Sequence, residues 1–115
     1  MSNKQGARAE LDSLSARGCD FLGVRYAILG GAMSWLSERN LVAATSNSGA
    51  FGVIATGSLS PEELHQEIEG TFSLTDKPFG VNVIIMHPEL DELLEICIDT
   101  GVGHVVLAGG LPPRS

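Results

Sequence analysis

Aromatic side chains, cysteine and basic charge are all scarce in this 115-residue chain, and each shortage narrows the function. Seven Lys and Arg face fourteen Asp and Glu, a net charge of -7, so the surface repels a phosphate backbone and nucleic acid is not an expected partner. Two cysteines, Cys19 and Cys97, stand far apart with no CxxC spacing, which points to reduced thiols rather than a bridge or a metal site. No apolar run reaches the ~20 residues that span a bilayer, and the opening MSNKQGARAE lacks an apolar signal stretch. No membrane partner and a cytoplasmic location are therefore expected.

What the chain does contain is glycine, 14 in all, and Val/Ile/Leu runs within a 43% hydrophobic composition. That combination suits an α/β protein with strands covered on both faces. Apolar runs begin near Ala27, Gly52, Gly80 and His104, at intervals of about 25 residues, the length of one βα repeat of a parallel sheet. Eight such units close a barrel and four make half of one.

The pattern predicts strands over Tyr26 to Leu29, Phe51 to Ala55, Phe79 to Ile85 and His104 to Ala108. Ser37 is placed to cap a helix over Glu38 to Ser48, ended by Gly49. Ser60-Pro61-Glu62-Glu63 combines an N-cap, a proline at the first helical position and a reciprocal glutamate, the clearest local signal in the chain. Leu64, Ile68 and Phe72 give that helix an apolar side, and Gly70 weakens it by roughly 1 kcal/mol relative to alanine. Pro88 opens a further helix on which Leu90, Leu93, Leu94, Cys97 and Ile98 form one stripe, ended by Gly101. Residues up to about Arg17 read as a loose extension or a covering helix, and Gly109 to Pro113 as a turn.

In parallel α/β proteins ligands sit at the carboxyl ends of the strands. Gly30 to Trp35, Thr56 to Ser58, Asn82 to His87 and Ala108 to Leu111 occupy such positions. Main-chain N–H groups near Met33 are candidate donors to a ligand, although a glycine pair after a strand also makes an ordinary tight turn. Asn82 interrupts an apolar strand, and a buried amide without partners costs roughly 1 to 3 kcal/mol. It bonds either a neighbouring strand or loop, or the polar edge of a ligand. Met33 and Trp35 either wall a pocket or fill the core. His65 falls on a solvated helix face and His104 at the amino end of its strand, whereas His87 lies on the functional side in an otherwise ordinary loop.

The segments YAILGGAMSW, LVAATSNSGAFGVIATGSLSPEEL, TDKPFGVNVI and GVGHVVLAGGLPP, in that order, resemble the N-terminal half of nitronate monooxygenases, formerly called 2-nitropropane dioxygenases. The resemblance runs from about Cys19 to Pro113. It implies residues 1–18 as an N-terminal extension and residues 19–115 as half of an FMN-binding TIM barrel: a partial (β/α)8 barrel of α/β class, about the first four βα units with parallel strands. It further implies an FMN cofactor, and a nitronate substrate oxidised with O2 through a flavin that is reduced and then reoxidised. Ala32 and Met33 match the first-strand flavin contact, and Asn82, in FGVN, the asparagine that meets the cofactor. Position 27 is Ala where the family often has Pro.

The family's catalytic histidine and phosphate loops belong to its second half, and none of His65, His87 and His104 matches that histidine. The expectation is a chain inactive alone. Flavin-dependent enoyl-acyl-carrier-protein reductases share much of the pattern, so a fragment of that kind is the alternative, as is a non-catalytic remnant. The exposed edges of the first and last strands make self-association the expected behaviour.

Overall fold

The structure, a computed structural model, describes residues 2–111. The expected turn therefore passes out of the described residues at Pro112 and Pro113. Eight elements follow one another: α1 (Ser2–Leu22), β1 (Leu29–Gly30), α2 (Arg39–Asn47), β2 (Phe51–Ala55), α3 (Pro61–Leu74), β3 (Phe79–Ile84), α4 (Leu90–Thr100) and β4 (His104–Ala108). The strands form one parallel sheet in the order β1-β2-β3-β4. Sequential order without a reversal is the winding of a βα barrel; a doubly wound sheet reverses at a switch point.

The register separates two faces. Ile54 pairs with Val81, and both join Phe79 and Val83 against Val42 of α2, Leu64 and Ile68 of α3, and Leu93 and Cys97 of α4. All three helices after β1 thus cover the same face. Fully burying each of these aliphatic side chains stabilises the fold by roughly 1.5 to 3 kcal/mol, an upper figure against an extended chain. Gly52 belongs to this face as well, and a Cβ there would collide with the Val42 carbonyl, so its bareness lets α2 lie close on β2.

The opposite face carries Val53, Gly80 and His104 in one row and Ala55, Asn82 and Val106 in the next. A smaller cluster of Phe51, Val53 and Leu22 closes its amino end, with Ala32 and Val24 packed against it.

Local chemistry sets the helix ends. Ser60 accepts from the Glu63 N–H at 3.2 Å while the Glu63 carboxylate accepts from the Ser60 N–H at 2.7 Å, the reciprocal cap expected from the sequence. Gly101 ends α4 at φ 80°, a left-handed conformation that glycine adopts without penalty.

Three expectations are corrected. β1 is reduced to Leu29–Gly30, because Tyr26 bonds the Gly49 carbonyl and only the end of the run pairs with β2. Glu38, not Ser37, caps α2: its carboxylate accepts from the N–H groups of Asn40 and Leu41 at 3.1 and 3.0 Å. Burial pushes the Glu38 pKa up, but these bonds and the Asn40 side-chain amide outweigh it and hold the carboxyl below its usual range. Finally, α4 begins at Leu90, two residues past Pro88, with no side-chain cap.

The stripe residues Phe72 and Ile98 are exposed rather than buried, though the Phe72 ring meets Phe79 edge-on at 4.9 Å. α3 continues through Gly70 to Leu74, and the bare Gly70 backbone receives the Arg39 guanidinium. That guanidinium bonds Glu67 at 2.8 and 3.2 Å and joins α2 to α3. α1 is one continuous helix through residues 18 and 19 and is tied to the body by Asp12 to Arg25 at 3.1 Å.

Candidate functional site at the carboxyl ends of the strands

Residues 31–37, which follow β1, fold back on themselves. The Met33 carbonyl accepts from the N–H groups of Leu36 and Ser37 at 3.0 and 2.8 Å, and the Met33 N–H donates to Ser37 Oγ at 2.8 Å. The expected donor at Met33 is therefore already engaged within the loop. Ala32, Ser34 and Trp35 keep N–H groups without a hydrogen bond among the described residues. Trp35 sits at φ 72°, a left-handed conformation unusual for a bulky residue, and its side chain is 84% exposed. Of the two readings for Met33 and Trp35, core filling is excluded by this exposure: Met33 is also exposed, whereas Ala32 is half-buried against the cluster of Leu22, Phe51 and Val53.

The loop lies over the ends of β2 and β3. The Ala55 N–H donates to the Ser37 carbonyl at 3.1 Å, and a Cβ on Gly57 would meet Ser34 Oγ at 2.9 Å and Ile84 Cδ1 at 3.0 Å. Ala55 is the register partner of Asn82. Asn82 lies on the face away from the helices and is half-buried, and its side-chain amide makes no hydrogen bond among the described residues. The alternative in which a neighbouring strand satisfies that amide is thus not what the structure contains. The Asn82 backbone pairs in the sheet between Ala55 and Val106, and its carbonyl also accepts from the buried Thr56 hydroxyl at 2.8 Å. The result is a half-buried, unspent amide on a face where Val53, Ala55 and Gly80 are buried, flanked by a loop with unspent N–H groups.

The histidines are placed otherwise. His87 bridges two loops: its Nδ1 accepts from the Glu89 N–H at 3.0 Å, so the proton resides on Nε2, which donates to the Leu59 carbonyl at 3.2 Å. Both nitrogens are committed to structure. His104 lies at the amino end between the rings of Phe21 and Phe51, with Nε2 2.8 Å from the Phe21 carbonyl and a buried, unpartnered Nδ1. His65 points outward on α3, 3.7 Å from Glu69. No cluster of metal-ligating side chains occurs among the described residues.

Two cavities compete for attention. The larger, about 420 Å³, opens at the amino ends beside Phe21, Phe72, Lys77 and His104. A smaller one of about 190 Å³ lies beneath Trp35 beside Ser37, Ala55 and Leu59, is also bordered by Glu38, Glu63 and Glu67, and does not reach Asn82. Size favours the first, but the open amide and N–H groups belong to the carboxyl end.

Ser37 lies outside the segments singled out from the sequence, where it looked like a helix cap; Thr56 falls within one of them, as a polar residue directly after the apolar run of β2.

Sheet order and one-sided helix cover define part of a TIM barrel. The chain belongs to the nitronate monooxygenase family, whose sequence profile matches residues 15–101. It is similar to a carboxyl-CoA dehydrogenase, (3aS,4S,5R,7aS)-5-hydroxy-7a-methyl-1-oxo-octahydro-1H-indene-4-carboxyl-CoA dehydrogenase of Mycobacterium tuberculosis, at 31% identity over 72% of this chain and 23% of the relative. A probable nitronate monooxygenase of Staphylococcus saprophyticus is 38% identical over 67% of this chain and 22% of its own length. Among solved structures, FabK from Thermotoga maritima superposes with a TM-score of 0.80 at 38% identity, covering 82% of this chain and 30% of FabK. The chain thus spans less than a quarter of the length of these curated relatives. No helix among the described residues is long and apolar enough to cross a membrane.

Proposed function

We propose that residues 19–115 form one side of the flavin site of an FMN-dependent oxidoreductase that oxidises alkyl nitronates with O2, residues 1–18 being an extension. The observation that carries this reading is the unbonded Asn82 amide on the sheet face away from the helices, beside a loop whose Ala32, Ser34 and Trp35 N–H groups remain free. A flavin ring presents carbonyl and N–H groups along one edge. An amide that both donates and accepts, next to main-chain donors, fits that edge. When bound, FMN supplies the electron acceptor that O2 reoxidises.

In this reading Asn82 fixes the ring edge, the Ala32 and Met33 backbone supports the ring from the first loop, and the exposed Met33 and Trp35 side chains exclude water. The chain alone turns over no nitronate, since His87 is committed at both nitrogens, His104 lies at the amino end and His65 faces water. The likeness to FabK favours a second reading, an enoyl reductase-like use of the same flavin face.

The test is a titration of the purified chain with FMN, followed by flavin fluorescence, and an oxygen-uptake assay with an alkyl nitronate. Saturable quenching that weakens about tenfold in Asn82→Leu is expected, with no oxygen uptake. Absence of binding at millimolar FMN, or binding indifferent to Asn82→Leu, overturns the flavin reading. Reoxidation of the reduced flavin by an enoyl thioester instead of O2 selects the second reading.

A further inference from the structure

Ser37 is 5% exposed, yet it caps no helix, because Glu38 has taken that role. A buried hydroxyl in such a place requires partners, and its partners lie in the loop after β1. Its Oγ accepts from the Met33 N–H at 2.8 Å and lies 3.5 Å from the Gly31 carbonyl. Its own N–H donates to the Met33 carbonyl at 2.8 Å, and its carbonyl accepts from Ala55 at 3.1 Å. One residue thus closes the loop around Met33 and fastens it to the end of β2 at Ala55, the register partner of Asn82.

We propose that Ser37 is the positioning residue of the ligand face: by consuming the polar groups of Met33 it fixes the peptide planes of the loop and leaves the N–H groups of Ala32, Ser34 and Trp35 directed away from the loop's own bonds. It touches no ligand itself. Its effect on a cofactor runs through Met33 and Ala32, and this extension rests on the flavin reading above. The αL conformation of Trp35, between Met33 and Ser37, is the backbone consequence of closing so short a turn.

Ser46 supplies the matched control. It is also buried, and its Oγ likewise accepts a main-chain N–H, that of Gly52 at 3.0 Å, but it joins α2 to β2 and makes no bond to residues 31–37. Ser37→Ala, Ser37→Thr and Ser46→Ala are compared by amide hydrogen exchange, thermal melting and FMN titration. Ser37→Ala is expected to speed exchange of the Met33 N–H about tenfold and to weaken FMN binding by a similar factor. Ser46→Ala lowers the melting temperature comparably and changes neither, and Ser37→Thr restores Met33 protection.

Unchanged Met33 exchange in Ser37→Ala overturns the brace, whether or not flavin binds. Equal weakening of FMN by Ser37→Ala and Ser46→Ala overturns the positioning role and reduces it to stability. If the unmutated chain binds no FMN, the flavin reading falls, while the exchange comparison still decides the role of Ser37 in the loop.

Discussion

The central and edge strands of this sheet are built from the same residues and meet different fates. β2 is buried at every position, and Val81 and Val83 of β3 are inaccessible. β4 reads just as apolar, yet Val105, Val106 and Leu107 are 38%, 37% and 43% exposed. A continuous aliphatic run encodes cover on both faces and both edges. Here α2, α3 and α4 cover one face of the centre, Leu22 helps close the amino end of the other, and β2 and β3 each have a strand on both sides, while β4 has a strand on one side only among the described residues. Stability is therefore concentrated between β2, β3 and the helices, and the outer strands present edges unpaired among the described residues.

The largest effect should come from Ile68, which touches the centre of that core. Ile68→Ala is expected to cost about 2 to 5 kcal/mol, and Leu107→Ala in β4 under about 1 kcal/mol, both read from denaturant midpoints. Similar losses at the two sites would abolish the contrast.

Thiol chemistry separates the regions next. Burial pushes Cys97 up to about 11, which lowers its thiolate fraction about a hundredfold from the shift alone. In the native chain Cys19, at the half-buried end of α1, should label first, and Cys97 only on unfolding. Equal labelling rates under native conditions would show that the core opens readily.

The exposed edge of β4 gives the third prediction. Size-exclusion chromatography of the chain should report dimers or larger species, and Val106→Lys should shift them toward monomer while lowering the unfolding free energy by no more than about 0.5 kcal/mol. A well-behaved monomer before mutation contradicts the edge account.

The smallest effect concerns pH. Glu38 is held below its usual pKa by the bonds that cap α2, so its contribution is present above the ordinary carboxylate value of about 4.3 and fades as pH falls through the lowered native value. Glu38→Gln should flatten that acid limb and lower stability at neutral pH by about 1 kcal/mol or less. An unchanged limb would assign the acid sensitivity elsewhere.

These contrasts mark what the sequence could and could not reveal. The Ser60 to Glu63 cap was legible because all its partners lie within four residues. The core stripe of α4 was legible through Leu90, Leu93, Leu94 and Cys97, but Ile98 is exposed, since periodicity marks a face without saying what covers it. Ser37 was misread because a serine before a helix looks the same whether it bonds the helix or the preceding loop; the decision came from where residues 31–37 return. Asn82 stood out as a polar residue in an apolar run, and the family resemblance and the open amide converge on it. Thr56, its partner through the main chain, carried the same signal more faintly.

The account stands on the carboxyl face as the ligand side of this sheet, despite the larger cavity of about 420 Å³ at the amino ends. The most direct test is an amide-resolved NMR titration of the isotope-labelled chain with FMN. Shifts are predicted at Ala32, Met33 and the Asn82 side-chain amide, with Lys77 and His104 unmoved. Shifts confined to Lys77 and His104, or none at millimolar FMN, would contradict it.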